Sequence, residues 1–173
     1  GQRGRMMIAT IDDGTAALEI TLYSEVYEPN RSWLKEDELL IAKVNVTPDK
    51  FSGGMRIVSE AVMDITGARM RFARNVHVNL DPAVDVRMLR NQIGPYLMSN
   101  RARDPKLGNS NPSANANDGV KGLMLTAAVT TSGGACLVQF PEEMRIYPDD
   151  ACLHSLNQLL GIKQKDPVQV QYH

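Results

Sequence analysis

Residues 4–24 read GRMMIATIDDGTAALEITLYS, and the first half of the chain is organised around them. Met7, Ala9 and Ile11 alternate with Met6, Ile8 and Thr10. Beyond Asp12-Asp13-Gly14, Leu18, Ile20 and Leu22 alternate with Ala17, Glu19, Thr21 and Tyr23. Two period-2 runs flanking an Asp/Gly turn predict a β-hairpin: successive strand residues face opposite sides, and Asp and Gly tolerate the positive φ of tight turns. Its strands are expected at Arg5–Ile11 and Ala16–Tyr23. The preceding Gln2-Arg3-Gly4-Arg5 is short, basic and glycine-containing, the composition of a loop offered to a polyanion.

Downstream, Ser24 is placed to cap a helical stretch with Glu25 and Glu28 in its first turn. Because proline breaks a helix interior, Pro29 predicts two short pieces, Ser24–Glu28 and Pro29–Leu34, with Trp33 and Leu34 facing inward. Trp33 reads as a core plug rather than a stacking platform. Leu39–Thr47 follows as a strand with Leu40, Ala42, Val44 and Val46 on one face. Pro48–Gly54 has the composition of a wide turn, and Met55–Ile65 is the last strand, with Ser59 or Ala61 leaving room for a bend. Strand, strand, helix, strand, strand is the order of an OB-fold whose first strand is missing. That fold is a five-stranded Greek-key barrel whose L12 and L45 loops and strand 2–3 face bind oligonucleotides. A missing strand leaves an unpaired edge that another copy could fill.

Gly67–Asn75 carries Arg69, Arg71 and Arg74 on a short, helical connector with Met70 and Phe72 as anchors. It reads as a solvated linker in preference to a nucleic-acid contact. A second unit begins at Val76, where Val76, Val78 and Leu80 alternate. Asp81 is placed to cap a helix over Pro82–Met98, interrupted near Gly94-Pro95. Ser99–Gly119, rich in Asn, Ser, Pro and Gly, is a surface loop. Leu123–Thr130 and Ala135–Phe140 read as a hairpin, and Arg145-Ile146-Tyr147 as a short extended piece. Pro148-Asp149-Asp150 opens a helix through Leu160 that Gly161 ends, and Val168–Tyr172 is a final strand. The expected architecture is multi-domain, β plus α/β: a truncated OB-fold nucleic-acid-binding domain over 1–66, a linker helix over 67–75, and a small α/β sandwich over 76–173.

At 173 residues the chain can hold two small cores. Hydrophobic residues make up 43% and charged residues 23%, as in ordinary soluble proteins. No apolar run approaches a membrane span and no apolar leader is visible, so a cytoplasmic compartment is expected. The formal net charge of −1 excludes a strongly basic nucleic-acid binder. What it allows is a local basic face with salt-sensitive binding. Cys136 and Cys152 lack a zinc-ligand spacing and read as reduced thiols; His77, His154 and His173 are isolated. Asp12-Asp13, Asp149-Asp150 and Glu142-Glu143 invite a metal reading, but turn chemistry, a helix start and a solvated loop account for them. No phosphate-binding glycine loop is present.

The run RGRMMIATIDDGTAALEITLYSEVYE, followed by LKEDELLIAKVNVTPDKFSGGMRIVSEAVMDI, resembles the OB-fold region of the alpha subunit of bacterial DNA polymerase III. The resemblance is close over about the first 75 residues. It continues more weakly into a domain that, in that family, docks the tau subunit of the clamp loader. It implies a longer polypeptide with a further strand upstream of the basic loop. Nucleotidyl-transfer carboxylates and Mg2+ would lie elsewhere, with no cofactor in this part. Expected partners are single-stranded DNA, tau and the rest of the polymerase III holoenzyme. With this fold, Arg3, Arg5, Lys50, Phe51 and Arg56 are the candidate nucleic-acid contacts, with Tyr23 and Lys43 outside them, since single strands need cations along a groove and flat faces for stacking. Met144, Tyr147, Leu153, Leu156 and Leu160 are the candidate tau contacts. The alternatives are an OB-type RNA-binding module of the tRNA-anticodon kind and a purely structural assembly domain.

Overall fold

The computed structural model describes residues 5–50, 53–101, 121–161 and 166–172. They fall into two compact units that divide between Ile65 and Thr66. Each has its own four-stranded sheet.

In the first unit β1 (Met6–Asp12) and β2 (Ala17–Tyr23) form the expected hairpin, in a register that sets Met7 against Leu22, Ala9 against Ile20 and Ile11 against Leu18. The turn is built by carboxylates. Asp12 Oδ1 accepts the Gly14 amide at 2.7 Å, and Asp13 Oδ1 accepts the Thr15 hydroxyl at 2.6 Å and the amides of Thr15 and Ala16 at 2.9 and 3.1 Å. Gly14 supplies the φ of +82° that closes the turn. β3 (Ile41–Pro48) and β4 (Met55–Met63) pair antiparallel, and β4 meets β2 in parallel at Thr21 and Val58. The order is β1-β2-β4-β3. This is an OB-like sheet, but among the described residues it is open and not a closed barrel. β4 carries the bend: Lys43 pairs with Ala61 and Val44 with Ser59, so Glu60 is left over as a bulge between the two residues expected to allow it.

Ile20, Leu22 and Val62 are the buried centre of this unit, with Met7, Ala9, Ile11, Leu40, Ala42, Val44 and Ile57 packed around them. Val46, expected on the same face, is exposed near the end of its strand. One helix, α1 (Ser24–Asn30), replaces the two expected pieces and runs through Pro29. Its N-cap is Tyr23 rather than Ser24. Buried Asn30 ends the helix with its own side chain: its amide donates to the Val26 carbonyl at 2.7 Å, and its Oδ1 accepts the Trp33 indole N–H at 3.1 Å. Trp33 and Leu34 thereby fold back on the core, as a plug would.

The second unit starts with α2 (Ile65–Phe72), which runs straight into β5 (Ala73–Leu80), so there is no separate linker up to Asn75. β5 is an inner strand, parallel to β6 (Met124–Thr131) and antiparallel to β8 (Val168–Tyr172); β7 (Gly134–Gln139) pairs with β6 at the outer edge. Val76, Val78, Leu125 and Ala127 bury against Leu89 and Ile93 of α3 (Val86–Ile93) and Cys152, Leu156 and Leu160 of α5 (Asp150–Leu160). This is the expected α/β arrangement, with helices on one sheet face. The long helix expected over Pro82–Met98 is shorter. Asp81 accepts the Ala83 amide in a turn, and Asp85 is the residue that caps α3, accepting the Arg87 amide at 2.8 Å. A 3-10 turn at Gly94–Tyr96 then separates α3 from a single turn, α4 (Met98–Arg101). Most of the Ser99–Gly119 loop lies outside the described residues.

Ile146 bridges Leu97 and Leu123 as the expected extended piece. Asp149 caps α5 through the Cys152 amide, and Gly161 ends it in right-handed backbone, where a Cβ would lie 2.5 Å from the Asn157 carbonyl.

The Thr15 hydroxyl, then the Thr15 and Ala16 amides, hold the Asp13 carboxyl at about 2, below its ordinary 3.8. A depressed carboxylate stabilises the fold above the unfolded value and loses that contribution as pH falls from 3.8 towards about 2. Asp13→Asn is therefore expected to lower the urea midpoint at neutral pH and to flatten its decline across that acid window. Parallel wild-type and variant curves would contradict this.

Candidate nucleic-acid interface

Strand alternation sorts the first sheet into two faces. The residues between the core positions, Met6 and Ile8 on β1, Thr21 and Tyr23 on β2, Arg56 and Val58 on β4, and Lys43 and Asn45 on β3, lie on the face away from α1 and the core. Among the sequence-derived candidates, Tyr23, Lys43 and Arg56 thus share one face. The Arg56 guanidinium donates to the Tyr23 hydroxyl, which ties β4 to β2. Lys43 Nζ lies 2.6 Å from Glu60 Oε2, so one cation of the face is already balanced by the bulge residue.

Arg5 is exposed immediately before β1, and Lys50 is exposed in the turn after β3. That turn is closed at its base by Asp49, whose amide donates to the Gly54 carbonyl and whose carbonyl accepts from the Gly53 amide. Arg3 and Phe51 lie outside the described residues. Met6 and Ile8 were not among the candidates, yet they are 61% and 60% exposed, apolar surface beside Tyr23. The alternation that turns Met7 inward already placed them outward, but neither is aromatic or basic.

In the second unit the candidate docking residues separate. Leu156 and Leu160 are buried in the core between α5 and the sheet, which leaves them no surface for a partner. Met144, Tyr147 and Leu153 are half-buried. Met144 borders a cleft of about 840 Å³ together with Leu89, Leu97, Phe140 and Pro141. Arg69, read as a solvated linker cation, is a structural tie: its side chain is 15% exposed, 2.6 Å from Asp150 Oδ1 and 3.2 Å from the Pro148 carbonyl. Glu142 pairs with Arg145 at 3.1 Å. Among the described residues no three metal-ligating side chains gather, and no helix is long and apolar enough to cross a membrane.

No protein-family model matches the chain. Curated proteins do. A DNA polymerase III subunit alpha of Vibrio cholerae is 27% identical over 171 residues, 98% of this chain and 13% of the relative. Those of Escherichia coli K12 and Pseudomonas fluorescens are each 27% identical, over 92% and 97% of this chain and 12% of their own length. The chain resembles the DNA polymerase III alpha subunit. The likeness runs through both units, so the OB-like sheet and the α/β unit are similar to consecutive parts of one alpha subunit, and the chain spans about an eighth of the length of those relatives.

In this alpha-like sheet, Glu60→Gln should release Lys43 for a phosphate. The slope of log affinity against log salt for a single-stranded oligonucleotide is expected to steepen by about 0.7, the value for one added contact. An unchanged slope would show that freeing Lys43 from Glu60 adds no phosphate contact.

Proposed function

We propose that this chain is a non-catalytic part of a DNA polymerase III alpha-type subunit. In this reading the OB-like sheet guides single-stranded template DNA, and the α/β unit docks the tau subunit of the clamp loader within the holoenzyme. The observation that carries the DNA half is the outer face of the first sheet, where Tyr23 and Arg56 are held together beside exposed Met6 and Ile8, flanked by Arg5 and Lys50. Cations for phosphates beside an aromatic ring and apolar surface for bases suit sequence-independent single-strand binding. The even overall charge favours weak, salt-sensitive contact over tight binding, as suits a strand that must slide past. For the docking half, support comes from the similarity to alpha subunits along nearly the whole chain and from the cleft beside Met144, an apolar concavity of a size that accepts a peptide side chain or helix face. Catalysis and Mg2+ binding are assigned elsewhere in such a subunit.

The test is an anisotropy titration of a labelled single-stranded oligonucleotide at several salt concentrations, with and without the C-terminal domain of tau. In wild-type protein Arg5, Lys50 and Arg56 should together contribute about −2 to the log–log salt slope, for roughly three phosphates. Lys50→Ala with Arg56→Ala should flatten the slope by about 1.4 while leaving the tau complex intact. Salt-independent or absent DNA binding would remove the first half of the proposal, and absence of a tau complex the second.

A further inference from the structure

We infer a second single-strand contact on the α/β unit, built by Arg71, Phe72, Arg74 and Tyr172 and separate from the first sheet. Phe72 ends α2 and was expected to anchor it, but Met70 does that by packing on the core, and Phe72 is left 46% exposed. Arg71 lies with its guanidinium carbon 5.8 Å from the centre of the Phe72 ring. The next residue, Ala73, begins β5 and pairs with Tyr172 of β8, so Phe72 adjoins the residue opposite Tyr172 at this end of the sheet; Tyr172 is 53% exposed.

The pairing then slips. Tyr172 pairs with Ala73 and the adjacent Gln171 with Asn75, which leaves Arg74 as an unpaired bulge residue. A bulge turns its extra side chain out of the ladder and commonly serves to aim it, and Arg74 is exposed. Among the described residues neither Arg71 nor Arg74 has a carboxylate partner. Arg69 of the same helix takes Asp150, so this acid is already used. The corner therefore carries two uncompensated guanidinium groups around two exposed aromatic rings. A solvated linker explains the cations but not two exposed aromatic rings at the same end of the sheet. Stacked bases with phosphates between them fit both, because base–aromatic stacking is indifferent to sequence and arginine serves phosphate and ring face alike. An acidic peptide would satisfy the arginines and leave the rings without a use.

The experiment uses the full chain and a thymine-rich 20-mer containing 5-iodouracil, cross-linked by light and mapped by mass spectrometry. Cross-links are expected at Phe72 and Tyr172 in the wild-type protein, and they should persist when Lys50→Ala and Arg56→Ala disable the first sheet. In that background Phe72→Ala should weaken binding at least about fivefold, Arg71→Ala with Arg74→Ala should flatten the salt slope by about 1.4, and Phe72→Tyr should retain affinity. Cross-links confined to residues 5–63, or displacement of the oligonucleotide by polyglutamate as readily as by unlabelled DNA, would overturn the proposal. Loss of first-sheet binding with this site intact would instead count against the function proposed above.

Discussion

The register of the β1–β2 hairpin is the constraint on which the first unit depends. A strand shows alternate residues to opposite faces, so a slip of one residue would set Met7 and Ala9 on the face of Thr21 and Tyr23 and put Met6 and Ile8 beside Ile20 and Leu22 in the core. Asp12 and Asp13 prevent that slip by engaging four donors within the turn. A carboxylate pair that looks like a metal site in sequence is therefore spent on turn geometry. The same alternation that builds the core composes the outer face, so core packing and the candidate interface are two readings of one register.

The second unit applies the same logic around β5. Val76 and Val78 face the helices and bury, while Asn75 and His77 face the other way and meet Thr126 at 2.7 and 3.0 Å. Its helices are placed by local chemistry: Asp85 and Asp149 cap α3 and α5, and Arg69 ties α2 to the start of α5. Leu156 and Leu160 are committed to the core, and of the five apolar candidates only Met144, Tyr147 and Leu153 keep part of their surface exposed.

Much of this was legible beforehand, for physical reasons. The hairpin, α5 and β8 announce themselves through alternation, a Pro-Asp-Asp helix start and a run of β-formers. Where the reading departed from the structure, a tertiary or side-chain contact outweighed a local preference. Pro29 sits one residue from the end of α1, where Asn30 closes the helix through its side chain and holds Trp33. Two aspartates, Asp81 and Asp85, could each open a helix, and the later one does. Val46 kept the pattern of a core residue but sits where the sheet runs out. The candidate interface was legible in its charges and not in its pairing, since nothing local says that Lys43 meets Glu60 or that Arg56 reaches Tyr23. Arg69 illustrates the same limit, because its partner lies 81 residues away.

The central claim is that the outer face of the first sheet receives single-stranded nucleic acid. Its most direct test is amide chemical-shift mapping of the labelled full chain during titration with a short oligothymidylate at low salt. The account predicts that the largest shifts fall on Met6, Ile8, Tyr23, Lys43 and Arg56, with Met7, Ile20 and Leu22 shifting less. Shifts that spare this face while the oligonucleotide is bound would contradict it.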